Sequence, residues 1–219
     1  MRRRRAACSS SPGPPGRVLR RGGLRRWQAR RVSTDARHPT EPAAGLTIRR
    51  ALPADVRAIR DLVDPYAERR ILLAKDLVGY YEAIQEFLVA ERGGEVIGCG
   101  ALHVMWDDLA EVRTLAVRTD VRGTGVGHLL LDALLDRARE LRLSRVFCLT
   151  FEVKFFTRHG FAPIAGSVVD REVFHQLLLS RDDGIAEFLD LARVKPNTLG
   201  NTRMLRELSG PGAPDAVSG

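Results

Sequence analysis

Long apolar runs, paired cysteines and internal repeats are all missing from this 219-residue sequence. No window approaches the ~18 apolar residues of a membrane-spanning helix, which argues against a membrane partner. No early apolar stretch of about 7–15 residues reads as a secretory signal. The three cysteines, Cys8, Cys99 and Cys148, form neither a Cys-x-x-Cys metal pair nor a disulfide framework. They suit a reducing compartment, so the expected location is cytoplasmic and no metal is expected.

The formal charge of +8 suggests a nucleic-acid binder until it is divided along the chain. Residues 1–45 carry twelve arginines against Asp35 and Glu41, a net +10, whereas 46–219 hold 23 basic and 25 acidic residues, a net −2. The body of the chain therefore has no electrostatic case for nucleic acid. Only four residues of 1–45 are Val, Leu, Ile or Phe. Such a segment buries too little apolar surface to offset its ordering entropy, so disorder is expected. An organelle transit peptide, a basic arm and a plain extension all fit its composition.

Ordered structure is expected over 46–208, as one α/β domain, with a disordered tail over 209–219. Leu46-Thr-Ile-Arg-Arg reads as a strand. Val56, Ile59, Leu62 and Val63 fall at helical spacing, with Asp55 as the expected cap. A second helix is expected over about Lys75–Glu86. Two apolar runs joined by Gly93-Gly94 read as a hairpin. Glu111–Val117 alternates like a strand. His128 opens an amphipathic helix, Arg145-Val-Phe-Cys-Leu-Thr-Phe is a buried strand, and a short helix closes at Gly160. A further helix is expected near Arg171–Ser180. Late strands are expected near Ala186–Val194 and Thr202–Glu207.

Between the Glu111 strand and the His128 helix lies Arg122-Gly-Thr-Gly-Val-Gly. Glycines there let the backbone approach a ligand, and a helix N-terminus favours an anion such as pyrophosphate. Gly123, Gly125 and Gly127 lack the third spacing of a dinucleotide-binding fingerprint, and no Gly-Lys-Ser/Thr makes a Walker loop. A glycine-rich connection without ligand fits the loop taken alone.

The longer run Leu115-Ala-Val-Arg-Thr-Asp-Val-Arg-Gly-Thr-Gly-Val-Gly-His-Leu-Leu resembles the signature of the GNAT superfamily of acetyl-CoA-dependent N-acetyltransferases. The Gly-Gly hairpin and Phe-Phe-x-Arg-His-Gly-Phe at 155–161 agree with it. The resemblance implies a GNAT fold, a central mixed, mostly antiparallel sheet flanked by helices. It implies acetyl-CoA as co-substrate, its pyrophosphate on Arg122, Gly123, Thr124, Gly125, Val126 and Gly127. It also implies that the main chain of Leu115, Ala116 and Val117 pairs with pantetheine. The tyrosine that often protonates the leaving thiolate has no counterpart in Phe151-Glu-Val-Lys-Phe-Phe.

More narrowly, Ile71-Leu-Leu-Ala-Lys-Asp, Gly98-Cys-Gly-Ala-Leu-His-Val and Lys195-Pro-Asn-Thr-Leu-Gly-Asn-Thr-Arg-Met resemble amino-acid N-acetyltransferases of the N-acetylglutamate synthase type. That implies acetyl transfer to the α-amino group of L-glutamate, the first step of arginine biosynthesis. Another amine, such as glutamine, a polyamine or a protein lysine, and a non-catalytic acyl-CoA sensor are the alternatives. A homodimer is compatible with either. Lys75 stands where that family has arginine. An amino-acid substrate brings carboxylates, so cations are required. Arg113 is the first choice because its planar fork suits a carboxylate, Lys75 the second, Lys195 and Arg203 the reserves. Strand alternation predicts that Arg113 and Leu115 share a face. Glu111, two residues from Arg113, is the expected base that frees the amine. Cys99, Cys148, His103, His128 and His159 read as structural.

Overall fold

The computed structural model describes residues 45–69, 71–72, 75–191 and 200–208. The expectations for 1–44, Lys195 and 209–219 lie outside the described residues. Seven strands run β1 Leu46–Arg50, β2 Phe87–Arg92, β3 Glu95–Val104, β4 Leu109–Val117, β5 Arg145–Thr150, β6 Ala162–Pro163 and β7 Thr202–Glu207. They form one sheet in the order β1-β2-β3-β4-β5-β7-β6. Every neighbouring pair is antiparallel except β4 and β5, which are parallel. This is the expected mixed, mostly antiparallel sheet.

Six helices flank the sheet: α1 Val56–Glu68, α2 Leu77–Glu82, α3 Val126–Glu140, α4 Val153–Arg158, α5 Arg171–Leu177 and α6 Asp183–Phe188. One face carries α3, whose Leu131, Leu134, Leu135 and Ala138 pack on Ala110, Val112, Val146 and Cys148. The opposite face is shared. Val56, Ile59, Leu62 and Val63 of α1 cover Val89, Cys99 and Ala101. Ile185 and Phe188 of α6 cover Leu109 and Phe147. Each such buried side chain contributes roughly 1.5–3 kcal/mol. The face opposite α3 is therefore roofed by two separate helical groups, and polar side chains of β3 and β4 lie between them.

Three expectations are corrected. Asp55 does not cap α1; it already sits in a 3-10 turn, Pro53–Asp55. Its carboxylate instead takes Arg49 Nη1 at 2.7 Å and the amide of Leu52 at 2.7 Å. The second helix is shorter than expected, with α2 followed by a separate 3-10 turn over Ile84–Glu86. Ala186–Phe188 belongs to helix α6, not to a strand. Asp182 caps that helix by accepting the Ile185 amide at 3.1 Å, and the chain is buried continuously from Gly184 to Leu189.

Candidate active site

The site begins with a fault in the sheet. From Cys99↔Ala116 to Ala101↔Arg113, β4 uses one residue more than β3. Thr114 absorbs the excess in the left-handed region, at φ 57°. Gly100 lies opposite this bulge, where a Cβ would come within 2.9 Å of Leu134 Cδ1 and 3.0 Å of Leu115 Cδ1. The bulge also reverses the alternation of β4. Arg113 points away from α3, whereas Leu115 packs against the α3 side with Leu134. The expectation that the two share a face is thus overturned by one inserted residue.

Beside the bulge β4 and β5 part. They pair from Leu109↔Arg145 to Glu111↔Phe147, and then β4 runs on to Val117 and β5 to Thr150 unpaired to one another. The wedge leaves the β5-facing edge of Leu115 and Ala116 open to an extended ligand. The carbonyl of Val117 already accepts Tyr66 Oη at 2.6 Å. Beyond β4 the chain turns through Thr119–Val121 into the glycine loop. Gly123 and Gly125 are left-handed, at φ 79° and 90°, and Gly125 opens α3 with no side-chain cap. A Cβ on Gly123 would meet nothing within 4 Å. Thr124 Oγ1 donates to the Val121 carbonyl at 2.7 Å and braces the loop. Arg122 reaches across the wedge to Glu152, 3.6 Å away. Loop and helix N-terminus together fit a diphosphate.

On the face opposite α3, charged side chains converge on Arg113. Its Nη1 donates to Asp182 Oδ2 at 2.9 Å. Its Nε lies 3.7 Å from Glu86 Oε2 and 3.9 Å from Glu111 Oε2, beyond hydrogen-bond length from both. Lys75 is electrostatically coupled to Arg113, Glu86, Asp182 and Glu111, and burial lowers its pKa. Burial raises Glu86. Glu111 is only 3% exposed, and burial with repulsion from Glu187 and Asp182 pushes its carboxyl well above the usual range. Gly184 of α6 lies so close that a Cβ there would collide with Glu111 Oε2. Glu187, also buried, is pushed up to about 7 by burial and by Asp183 and Asp182. Although burial would raise Asp182, the Arg113 hydrogen bond and charge hold it below its ordinary value. The arrangement is a cationic pole set among carboxyls, three of them raised by burial and one held down by Arg113.

Comparison with known proteins agrees with this geometry. The model of the acetyltransferase (GNAT) family matches residues 56–161. An amino-acid acetyltransferase from Mycobacterium tuberculosis is 58% identical over 161 residues, 72% of this chain and 92% of that protein. The chain belongs to the GNAT acetyltransferase family. The crystal structure of Rv2747 from Mycobacterium tuberculosis in complex with CoA and NLQ superimposes with a TM-score of 0.72 at 57% identity, over 74% of this chain and 99% of the other. N-acetylglutamate synthase from Neisseria gonorrhoeae, in complex with CoA and N-acetyl-glutamate, gives 0.62 at 25% identity. This chain covers 36% of that longer protein.

Among the residues expected from sequence, Glu111, Arg113 and Lys75 come together in this GNAT structure. The loop Arg122–Gly127 stands at the mouth of the wedge. Arg203 bonds main-chain carbonyls. It braces α6 and a loop to β7, donating Nη2 to the carbonyls of Phe188 and Gly166. Asp108, immediately before β4, is held by Arg145 through two hydrogen bonds of 2.8 and 3.0 Å. Cys99 is buried and pushed up to about 12, so it stays a thiol. Sequence reading missed Glu86, Asp182 and Glu187 and treated His103 as structural. Only Asp182 carried a usable signal, as an N-cap residue three positions before Ile185.

Proposed function

We propose that the chain is an acetyl-CoA-dependent N-acetyltransferase that acts on the α-amino group of L-glutamate, the entry reaction of arginine biosynthesis, in the cytoplasm. One observation carries this reading: the wedge between β4 and β5 joins a phosphate-suited glycine loop to a half-buried arginine. A thioester threaded along Leu115 and Ala116 would bring its carbonyl beside the Thr114 bulge. Arg113 and Lys75 then offer the cations an amino-acid carboxylate requires, with Arg113 exchanging Asp182 for the substrate. The Mycobacterium and Neisseria relatives support the substrate class. Lys195 is retained as a second contact to the substrate, and a homodimer as the assembly.

Transfer needs a neutral amine, so the ammonium must first lose a proton. Glu111 was the expected acceptor. Burial pushes its carboxyl well above the usual range, and it lies under Gly184. The deciding assay is release of free CoA from acetyl-CoA with each of the twenty amino acids in turn. Turnover led by glutamate is expected. Turnover led by glutamine or lysine would overturn the substrate, and none with any amino acid would overturn the reading.

A further inference from the structure

His103 lies on β3 directly opposite Glu111 in the register. Its Nδ1 is 2.7 Å from Glu86 Oε1, and its Nε2 is 4.0 Å from Asp182 Oδ2. A carboxylate only accepts, so the hydrogen of a neutral imidazole sits on Nδ1 and the lone pair on Nε2. That lone pair faces the place where Asp182 meets the Arg113 guanidinium. The His103 side chain is 22% exposed, whereas that of Glu111 is 5% exposed and lies beneath Gly184. A base held in one tautomer by a carboxylate, with its second nitrogen 4.0 Å from the carboxylate that binds Arg113, has the geometry of an oriented proton acceptor.

We infer that His103 accepts the proton from the substrate ammonium, with Glu86 as the positioning residue that holds its tautomer. The inference rests on the acetyl-transfer reading. An ammonium N–H bond breaks, directly or through one water, and an N–H bond forms at His103 Nε2. The freed amine lone pair attacks the thioester carbonyl carbon, a C–N bond forms and the C–S bond breaks. The nitrogen's second proton leaves with CoA as the thiol. The His103 proton passes to solvent, so each turnover yields amide, thiol and one proton. Several groups face this imidazole. Glu86 comes from the turn before β2, Glu111 and Arg113 from β4, Asp182 and Glu187 from the α6 segment, and Lys75 from the start of α2. Four of these groups are acidic and two basic, and burial raises three of the carboxyls, Glu111, Glu187 and Glu86.

The test measures kcat against pH for wild type, His103→Asn, Glu86→Gln and Glu111→Gln, with melting curves to establish folding. His103→Asn keeps an amide donor for Glu86 but has no base. Its kcat is expected to fall about 10²–10⁴-fold, the usual range for loss of a general base. Its rate should climb with pH as free amine appears, while KM for acetyl-CoA stays within twofold. Glu86→Gln should lower kcat less and move the acid limb of the profile, and Glu111→Gln, in the same cluster, should lower kcat less than His103→Asn does. A folded His103→Asn with a wild-type profile overturns the assignment. So does Glu111→Gln with a loss at least as large as that of His103→Asn. A wild type that releases CoA with no amino acid overturns the underlying reading and this inference with it.

Discussion

At the scale of single residues, Arg113 and Glu187 call for different tests. Arg113 stands among carboxyls, so Arg113→Ala would leave Asp182 and Glu86 without their cation and destabilise by about 3–5 kcal/mol. Arg113→Lys keeps the charge and loses the planar fork. Its KM for glutamate should rise about tenfold, which corresponds to 1.36 kcal/mol. KM for acetyl-CoA should not move, and equal rises in both constants would count against a carboxylate-binding role. Glu187 predicts a dependence of stability on pH. Its pKa is raised from 4.5 to about 7 on folding. Below the unfolded value both states hold the proton and nothing is lost. As pH rises toward about 7 the unfolded chain ionises first, so folding weakens and then levels off. Glu187→Gln removes that loss. It should be more stable than wild type by about 1–3 kcal/mol at pH 8, on the scale of 1.36 kcal/mol per pKa unit, and little different near pH 4. Urea midpoints at the two pH values decide it, and a constant difference refutes the buried-acid account.

At the scale of elements, the bulge at Thr114 and the loop before α3 build the site. The loop was legible because its chemistry is local. Glycines at Gly123 and Gly125 adopt the left-handed backbone that their residue type favours, and α3 starts where the apolar periodicity starts. The bulge was not legible. Thr114 is β-branched and reads as an ordinary strand residue, and only the pairing of β4 with β3 shows the extra residue. Arg113 and Leu115 were therefore placed on one face when the structure puts them on two. Helix α6 was misread for a related reason, because Ile185-Ala-Glu-Phe-Leu is apolar enough for a strand. Without that helix the site loses Asp182, Gly184 and Glu187 from view. The loop yields its own prediction. Gly123→Asp puts a negative charge where a diphosphate would sit, at a position with room for a side chain and a residue type that tolerates positive φ. Calorimetry should show acetyl-CoA affinity falling at least about thirtyfold, roughly 2 kcal/mol, with melting within a few degrees of wild type. Unchanged affinity in the folded variant would remove the loop from the cofactor site.

At the scale of the whole molecule, charge and catalysis are divided along the chain. The net +10 of residues 1–45 stands against −2 for the remainder, and every residue of the wedge, the loop and the Arg113 cluster lies in the second part. The first strand after that boundary has its own anchorage. Arg49 of β1 bonds Asp55 at 2.7 Å and Glu91 at 2.6 Å, and β1 pairs with β2 along its whole length. The two carboxylates raise the Arg49 pKa, and Arg49 lowers that of Asp55. A chain that starts at Leu46 should therefore fold and keep kcat/KM within about twofold, a change below 0.5 kcal/mol. It should lose something else. Twelve arginines at one end give the intact chain a salt-dependent affinity for polyanions, and the remainder, slightly acidic, has no source for one. Retention of the two forms on heparin at rising salt, measured beside their kinetics, separates the properties. A truncated form that binds heparin as the intact chain does would place the basic surface in the folded body. A folded truncation with most of its kcat/KM gone would make the arginine-rich segment part of the enzyme.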